Sequence, residues 1–537
     1  MDYRLVRLLF CQLSYNLRLF FSIKQNKLLS TYDYELYRNA TKSRGQTELN
    51  FKHVEQQPLK PVTSDFNGSD TDEGEDEHNS FEQTSSETEE DDHLAALDAK
   101  HPKFLETYLK RSRLHYLSSA AVAKKVYVQD LRQKPEHRAL IEKNREELKT
   151  KIQRTDRDYL FKFNGQDRIY MHIDMDCFFV SVATRHQPEL RDQPIGITHS
   201  KGKKTANNEQ QFFSRSELAS CNYAARQFGV RNGMYLGKAQ ELCAKHNAKL
   251  LCLPYDYEGF HEVSDRFYNS VLNYTLDVEA VSCDEMYVDL TDLIVDFKPL
   301  HPLTFVSLLR EEIQIYTKCP CSAGIRSNML LARLATRQAK PNGEFYVERG
   351  YEHEFISKQK LDDLPGIGDS IIDKLRQMSP HKTIETCKQI QVNFSLEQLK
   401  TILGQKHGQT LYEMSRGIDT RVLTKDYQPK SISIDINYGI RFQNFDELTG
   451  FVKQLVTELC KRLKQAKQKG KQIQVKVRVR APDAPIEPEK FMGCGRTDDS
   501  SRSVHLYSFT DDPVTIENET IKLLKQLHLI VADLRGV

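Results

Sequence analysis

Two widely separated apolar, β-branched runs that each carry carboxylates constrain this chain most: Ile169-Tyr-Met-His-Ile-Asp-Met-Asp-Cys-Phe-Phe-Val-Ser-Val182 and Val278-Glu-Ala-Val-Ser-Cys-Asp-Glu-Met-Tyr-Val-Asp-Leu290. A buried strand reads this way when it delivers acids to the rim of a sheet. Set side by side, the two runs would bring Asp174, Asp284 and Glu285 together. Carboxylates that close raise each other's pKa, and a hard dication with oxygen ligands, Mg2+ or Mn2+, keeps them ionised. Metal-assisted phosphoryl transfer is the chemistry expected of such a site. Either run taken alone reads equally well as a strand with solvated turn acids.

A chain of 537 residues with 39% hydrophobic content has room for several domains with real cores. The net charge of +2 hides an acidic block near residues 69–92, which leaves the remainder basic and suited to a polyanionic partner. Eleven cysteines are scattered singly apart from Cys319-Pro-Cys321. They suggest free thiols in a reducing compartment and weigh against zinc or a disulfide frame. No eighteen-residue apolar run is present, so no membrane span is expected.

Met1–Leu29 is Leu/Phe-rich and punctuated by Arg4, Arg7, Arg18, Lys24 and Lys27. It fits an amphipathic targeting helix, a fragment of a larger amino-terminal region or an uncertain start site. From Thr41 to His93 the sequence is polar and acidic, with too little apolar matter to offset chain entropy, and reads as a disordered linker. Apolar residues at 104, 105, 108, 109, 114 and 117 predict a helix and then a turn, followed by basic, largely helical sequence to Leu160.

A helix is expected from Phe178, a strand near Pro194–Thr198 and a polar loop to Ser214. That loop's Gly202-Lys-Lys-Thr205 is not a phosphate loop, because its spacing from Gly196 is too long and Lys204 stands where Ser or Thr is required. Ala219–Met234 reads as a helix with Tyr223 and Arg226 on one face, suited to a triphosphate; a core tyrosine beside a surface arginine would look the same. A further helix is expected near 303–317. Ser327 is the expected N-cap of a helix that ends before Pro341 and leaves Lys340 at its carboxy terminus. Strands alternating with helices predict an α/β sheet layer.

Leu361-Asp-Asp-Leu-Pro-Gly-Ile-Gly-Asp-Ser-Ile-Ile-Asp-Lys-Leu375 is a helix-hairpin-helix signature, in which Gly366 and Gly368 let backbone N–H groups approach a DNA phosphate. Ser431–Ile440 and Lys471–Arg480 alternate as strands. In the second, Ile473, Val475, Val477 and Val479 share a face, with Lys476 and Arg478 on the other. Backed by helices near 445–467 and 514–527, this basic face suits a duplex backbone; a solvated strand face is the alternative.

Asp174-Met-Asp-Cys-Phe-Phe179, Cys221-Asn-Tyr-Ala-Ala-Arg226, Ser282-Cys-Asp-Glu285, Ala339-Lys-Pro-Asn-Gly343 and Leu364-Pro-Gly-Ile-Gly368 occur in an order that resembles the Y-family translesion DNA polymerases. Ser112-Arg-Leu-His-Tyr-Leu117 and Ala484–Gly495 are similar to that family's deoxycytidyl transferase branch. The resemblance covers roughly residues 100–537. It implies an α/β and α+β multidomain, right-hand polymerase with palm, fingers, a helical thumb carrying the helix-hairpin-helix, and a β-sheet little finger. The domains it implies are a basic segment with the disordered acidic linker (1–98), a helical extension (99–164), palm (165–195 and 257–348), fingers (196–256), thumb (349–428) and little finger (429–537).

The site residues are carried over in the same way. Asp174, Asp284 and Glu285, with the carbonyl of Met175, are implied to hold two Mg2+ ions, for which Mn2+ can substitute. Phe178, Ser220, Asn232, Tyr223, Arg226 and Lys340 contact the nucleotide, Phe179 excludes a 2′-hydroxyl, and Asp176 is structural. Arg113 selects dCTP; Leu114 evicts the template guanine into a pocket made by Lys490, Gly493, Cys494 and Gly495. Gly366, Gly368, Lys476 and Arg478 touch DNA phosphates.

The implied activity is dCMP transfer opposite guanine, abasic sites and damaged bases in the nucleus, with primer-template DNA and dCTP as partners and no membrane. An ordinary template-directed bypass polymerase and a mainly non-catalytic scaffold are the alternatives. The branch's amino-terminal BRCT domain and carboxy-terminal tail are not expected within this sequence, which leaves other translesion polymerases and the sliding clamp open as partners.

Overall fold

The computed structural model describes residues 98–537 apart from 164, 166, 200–215, 380–382, 489 and 491. The Met1–Leu29 segment, the acidic linker and the Gly202–Thr205 loop lie outside the described residues.

Ser112 breaks the first helical run in two. Its hydroxyl accepts a hydrogen bond from the His115 backbone N–H and caps a new helix. The result is α1 (Phe104–Arg111) and α2 (Arg113–Arg132), where a helix and then a turn were expected. Their apolar faces go to different cores. Phe104 and Leu105 pack with Phe442 and Phe451 of the carboxy-terminal region, whereas Tyr116, Ala120 and Val128 join the core of the central sheet. Tyr127 Oη, donating to Asn269 Oδ1 at 2.7 Å, and Arg132, donating to the Leu276 and Val278 carbonyls, tie α2 to the central sheet.

Strand β1 (Tyr170–Met175) leads through Cys177 into α3 (Phe178–Ala183). Next comes a small sheet of β2 (Ile195–Ile197), β3 (Ser220–Cys221) and β4 (Leu251–Leu253), in the order β3-β2-β4. Ala219–Met234 holds only one short helix, α4 (Tyr223–Gln227), because Ser220 and Cys221 are drawn into pairing with β2. After α5 (Tyr257–Leu272) the second carboxylate run, expected as one strand, folds into a hairpin of β5 (Val278–Ala280) and β6 (Glu285–Asp289). The N–H groups of Val281 and Ser282 both donate to the Glu285 carbonyl, which places Asp284 in the turn.

Helix α6 (Pro302–Thr317), β7 (Cys321–Arg326), α7 (Met329–Ala339) and β8 (Glu344–Tyr346) complete the central layer. Its five-stranded sheet has the order β5-β6-β1-β7-β8. Alternation of strands and helices suggested an α/β layer, yet every pair is antiparallel except β7–β8. Asn328, not Ser327, caps α7: its side chain accepts from the Leu331 N–H at 2.9 Å. Gly324 lets α7 lie on β7, since a Cβ there would stand 2.1 Å from the Thr336 nitrogen.

Leu330, Leu331 and Leu334 of α7 also enter the core of the helical region that follows. There Gly366 adopts φ +79° and Gly368 precedes α8 (Asp369–Met378). The carboxy-terminal region packs α9 (Phe445–Gln465) and α10 (Pro513–Lys525) on a sheet of β9 (Gly470–Arg480), β10 (Thr497–Thr510) and β11 (Leu534–Gly536), ordered β10-β9-β11. Ser431–Ile440, expected as a strand, is not one. Ile436 exchanges two backbone hydrogen bonds with Val537 and Tyr438 bridges Gly493, while Ile436 and Ile440 are buried in the core. Alternation there serves burial, not a ladder.

Candidate active site

Pairing of β1 with β6 sets Asp174 opposite Glu285, and the Met175 N–H donates to the Asp284 carbonyl at 2.9 Å. Backbone register therefore brings both carboxylate runs to one end of the sheet. The three side chains are held differently. Asp284 is pushed up to about 7, first by burial and then by the charge of Asp174, although the Ser282 hydroxyl donates to it at 2.5 Å. Burial also acts to raise Glu285, but a 2.6 Å contact with His172 Nε2, the His172 charge and Arg333 outweigh it and hold the carboxyl below its ordinary value. Asp174 pairs with the Lys340 ammonium.

Among the described residues no three His, Cys, Asp or Glu side chains form a ready-made metal cage; Glu285 turns to His172 and Arg333 instead. Asp174 and Asp284 nonetheless fit a hard dication. They are adjoining oxygen donors, and the reluctance of Asp284 to ionise beside Asp174 is the charge deficit that such a cation relieves.

Asp176 is buried and organises the surroundings. It accepts from the Ser322 hydroxyl at 3.0 Å, the Asn342 N–H at 2.6 Å and the Tyr223 hydroxyl at 3.3 Å. Burial raises its pKa, against the nearby charge of Lys340. This one carboxylate thus positions Tyr223 and lies 3.8 Å from Lys340, two of the residues expected to hold phosphates. The Arg226 guanidinium lies over the Tyr223 ring at 5.0 Å. Ser220 is buried in β3, and the exposed Asn232 uses its side-chain oxygen to accept from the Cys221 N–H at 3.1 Å. Phe178 and Phe179 are buried, their rings 5.7 and 4.5 Å from Phe260.

Arg113 is the first residue of α2, held between the two cores that α1 and α2 join. Its charge acts on the Tyr255 hydroxyl, whose pKa burial raises and Arg113 lowers. Beside Arg113, Leu114 is 60% exposed. The Tyr255 ring stacks on Tyr257 at 5.4 Å, lies 4.3 Å from His199 and 6.2 Å from Phe179. These aromatics link Arg113 to Phe179, and sequence motifs did not single them out; only the spacing Tyr255-Asp-Tyr257 hints at them.

The loop expected to receive a displaced base reaches the same area. Lys490 pairs with Glu217 at 3.5 Å; desolvation by its neighbours, joined by the charges of Lys490, Arg113 and Arg111, lowers the pKa of His199. Gly493 packs tightly on Lys490, Gly495 lies against Pro488 at φ +64° where a Cβ would stand 2.9 Å from the proline ring, and Cys494 lies near Tyr108 of α1. Of the expected phosphate contacts, Gly366 and Gly368 form the turn into α8. Lys476 and Arg478 project from β9 but are paired with Asp499 at 2.7 Å and Asp435 at 3.1 Å. All ten described cysteines are free, and no helix among the described residues is long and apolar enough to cross a membrane.

Comparison with known proteins places these regions. Residues 173–337 match the impB/mucB/samB family, 362–419 the DNA polymerase-iota thumb domain, and 429–537 the impB/mucB/samB family C-terminal domain. DNA repair protein Rev1 of Drosophila melanogaster is 39% identical over 491 residues, which cover 84% of this chain and 47% of the relative. The Arabidopsis thaliana DNA repair protein REV1 is 33% identical, covering 81% and 36%. DNA polymerase IV of Shigella flexneri is 31% identical over 304 residues, 56% of this chain and 79% of that protein. The chain thus spans less than half the length of these two Rev1 relatives. A solved Y-family DNA polymerase chimera shares the fold, with a TM-score of 0.52 at 19% identity over 68% of this chain and 96% of the chimera.

Proposed function

Since the chain belongs to the Y-family of DNA polymerases, on the Rev1 branch, we propose that it transfers dCMP from dCTP to a primer 3′-hydroxyl opposite guanine, abasic sites and damaged bases in translesion synthesis. The position of Arg113 carries this reading: it heads α2 beside the exposed Leu114, its charge acts on the Tyr255 hydroxyl, and Tyr255 leads to the aromatic cluster that contains Phe179.

In this reading Asp174, Asp284 and Glu285, with the Met175 carbonyl, would hold two Mg2+ or Mn2+ ions, and the chemistry supplied there would be acidification of the primer hydroxyl and neutralisation of the triphosphate. Lys340, Arg226 and Tyr223 bind the phosphates, and Asp176 holds Tyr223 and the Asn342 backbone in place. His172 and Arg333 keep Glu285 ionised as an oxygen donor. Phe179, braced by Tyr255 and Phe260, stands against the sugar and rejects a 2′-hydroxyl.

Arg113 replaces the template base. A guanidinium presents parallel N–H donors to O2 and N3 of cytosine, whereas thymine and adenine each place a donor against it. Leu114 occupies the space of the displaced guanine, which the loop at Lys490, Gly493, Cys494 and Gly495 receives, repaying unstacking of a few kcal/mol. Gly366 and Gly368, with the basic face of β9, grip the duplex backbone without reading sequence. The reading implies action in the nucleus on primer-template DNA, with other translesion polymerases and the sliding clamp as further partners.

Primer extension with each dNTP separately, on the protein and on Arg113→Ala, tests it. The expected result is dCMP addition that collapses in the variant while DNA binding survives. Comparable use of dATP and dTTP by the unmutated chain overturns it.

A further inference from the structure

A second concave site lies at the opposite end of the central sheet. In the β1–β7 register Asp174 faces Ser322, whereas Tyr170 faces Arg326, so the second site begins roughly 13 Å along β7 from the acids. It is a cavity of about 530 Å³, within the size range of small-molecule sites. None of the residues given a role above lines it.

Its wall is aromatic. The rings of Phe161, His301 and Tyr346 meet edge to face, with centroids 4.9 Å apart for Phe161 and His301 and 5.0 Å for His301 and Tyr346. Burial, with the charge of Arg157, lowers the pKa of His301 to about 4, so at neutral pH it is an uncharged part of that wall.

The rim is mixed with a cationic excess: Arg157, Lys162, Arg168 and Arg349 line it against Asp167 and Glu348. Arg168 is bonded to Asp289 at 2.7 Å and Arg349 lies 3.7 Å from Asp167, but the exposed Arg157 and Lys162 have no ion-pair partner among the described residues. Beneath them Arg326 is only 5% exposed. Its guanidinium pairs with Glu352 and bonds the Tyr346 hydroxyl, yet Nε is buried with no hydrogen-bond partner. That nitrogen is closed off from solvent, so Arg326 serves the cavity as a fixed positive charge under its floor and not as a hydrogen-bond donor to a ligand.

We propose that this cavity binds a nucleoside monophosphate, either free or as the 5′-terminal nucleotide of a single strand. The base packs on Phe161 and Tyr346, and the phosphate sits at the rim with Arg157 and Lys162. Stacking alone would accept any uncharged ring and the cations alone any anion; the two together select a planar ring that carries a phosphate. The site stands independently of the proposed polymerase reaction, and its test reads binding, not extension.

The experiment is calorimetric titration of the full chain in EDTA, which removes metal-dependent phosphate binding at the carboxylates. The probes are AMP, adenosine, inorganic phosphate and 5′-phosphorylated hexathymidylate. AMP is expected to bind one site at least tenfold more tightly than adenosine or phosphate. The double variant Arg157→Glu/Lys162→Glu, altered at two exposed side chains, is expected to lose at least tenfold in AMP affinity with its melting temperature and primer extension unchanged. Tighter binding of the oligonucleotide than of AMP supports a strand end as the ligand, and the reverse order supports a free nucleotide. The proposal is overturned if AMP does not bind, if inorganic phosphate binds equally well, or if the double variant binds AMP as the parent does.

Discussion

Asp174 stands opposite Glu285 in the β1–β6 register, yet different cations hold the two carboxylates: Lys340 the first, His172 and Arg333 the second. Asp284, between them in sequence space, is left with a hydroxyl partner and a raised pKa. The site is therefore short of positive charge at one carboxylate, and this has measurable consequences.

Asp284 titrates at about 7 in the fold against an ordinary 3.8, so folding favours its protonated form. Stability from this group is fully present below about pH 4 and is lost as pH rises through 7. In EDTA, Asp284→Asn should stabilise the protein by about 1–2 kcal/mol at pH 8, after discounting for solvent screening, and by little at pH 4. Thermal unfolding at the two pH values reads this directly. Polymerisation by the same variant should fall by about a thousandfold or more. An equal melting temperature for parent and variant at pH 8 would mean that Asp284 carries no such strain.

Tyr255→Phe removes the hydroxyl on which the Arg113 charge acts but keeps the stacked ring. Loss of a polar partner to a charged group, worth about 1.5–3 kcal/mol at most, should cost roughly tenfold in preference for dCTP. Single-turnover extension with dCTP and dTTP measures it. A structural role alone would lower the melting temperature without changing the ratio.

Phe179→Ala opens the place where the sugar would lie and removes a ring from the cluster with Phe260 and Tyr255. Incorporation of rCTP relative to dCTP should rise at least tenfold, and unfolding should become easier by about 3 kcal/mol. An unchanged rCTP to dCTP ratio would remove Phe179 from sugar selection.

Lys476 leans on Asp499 without DNA. If it contacts a phosphate, Lys476→Ala should weaken binding to all duplex sequences alike and reduce the slope of log affinity against log salt by about 1. Fluorescence anisotropy across a salt series checks this, and an unaltered slope would leave Lys476 a partner of Asp499 only.

Much of this was legible because it is local. A β-branched apolar run located β1, alternation located β9, and the Pro365-Gly-Ile-Gly368 turn announced itself through residue types that few other conformations demand. The errors fell where pairing overrode local pattern. Val278–Leu290 reads as one strand until Val281 and Ser282 turn back on Glu285, and Ser431–Ile440 alternates without a neighbour to complete a ladder. Ser327 and Asn328 are both good caps; the chain uses Asn328, whose side chain accepts from the Leu331 N–H.

The sequence by itself determined which residues are apolar, acidic or backbone-permissive, and hence roughly which segments are buried and that carboxylates end up beside buried strands. It could not decide which cation faces which acid, that Asp176 binds Tyr223, that Tyr255 lies within reach of the Arg113 charge, or that Arg326 is buried under a second cavity. Those relations join residues far apart in the chain, and only the packing of helices on the sheet fixes the distances at which charge and hydrogen bonding act.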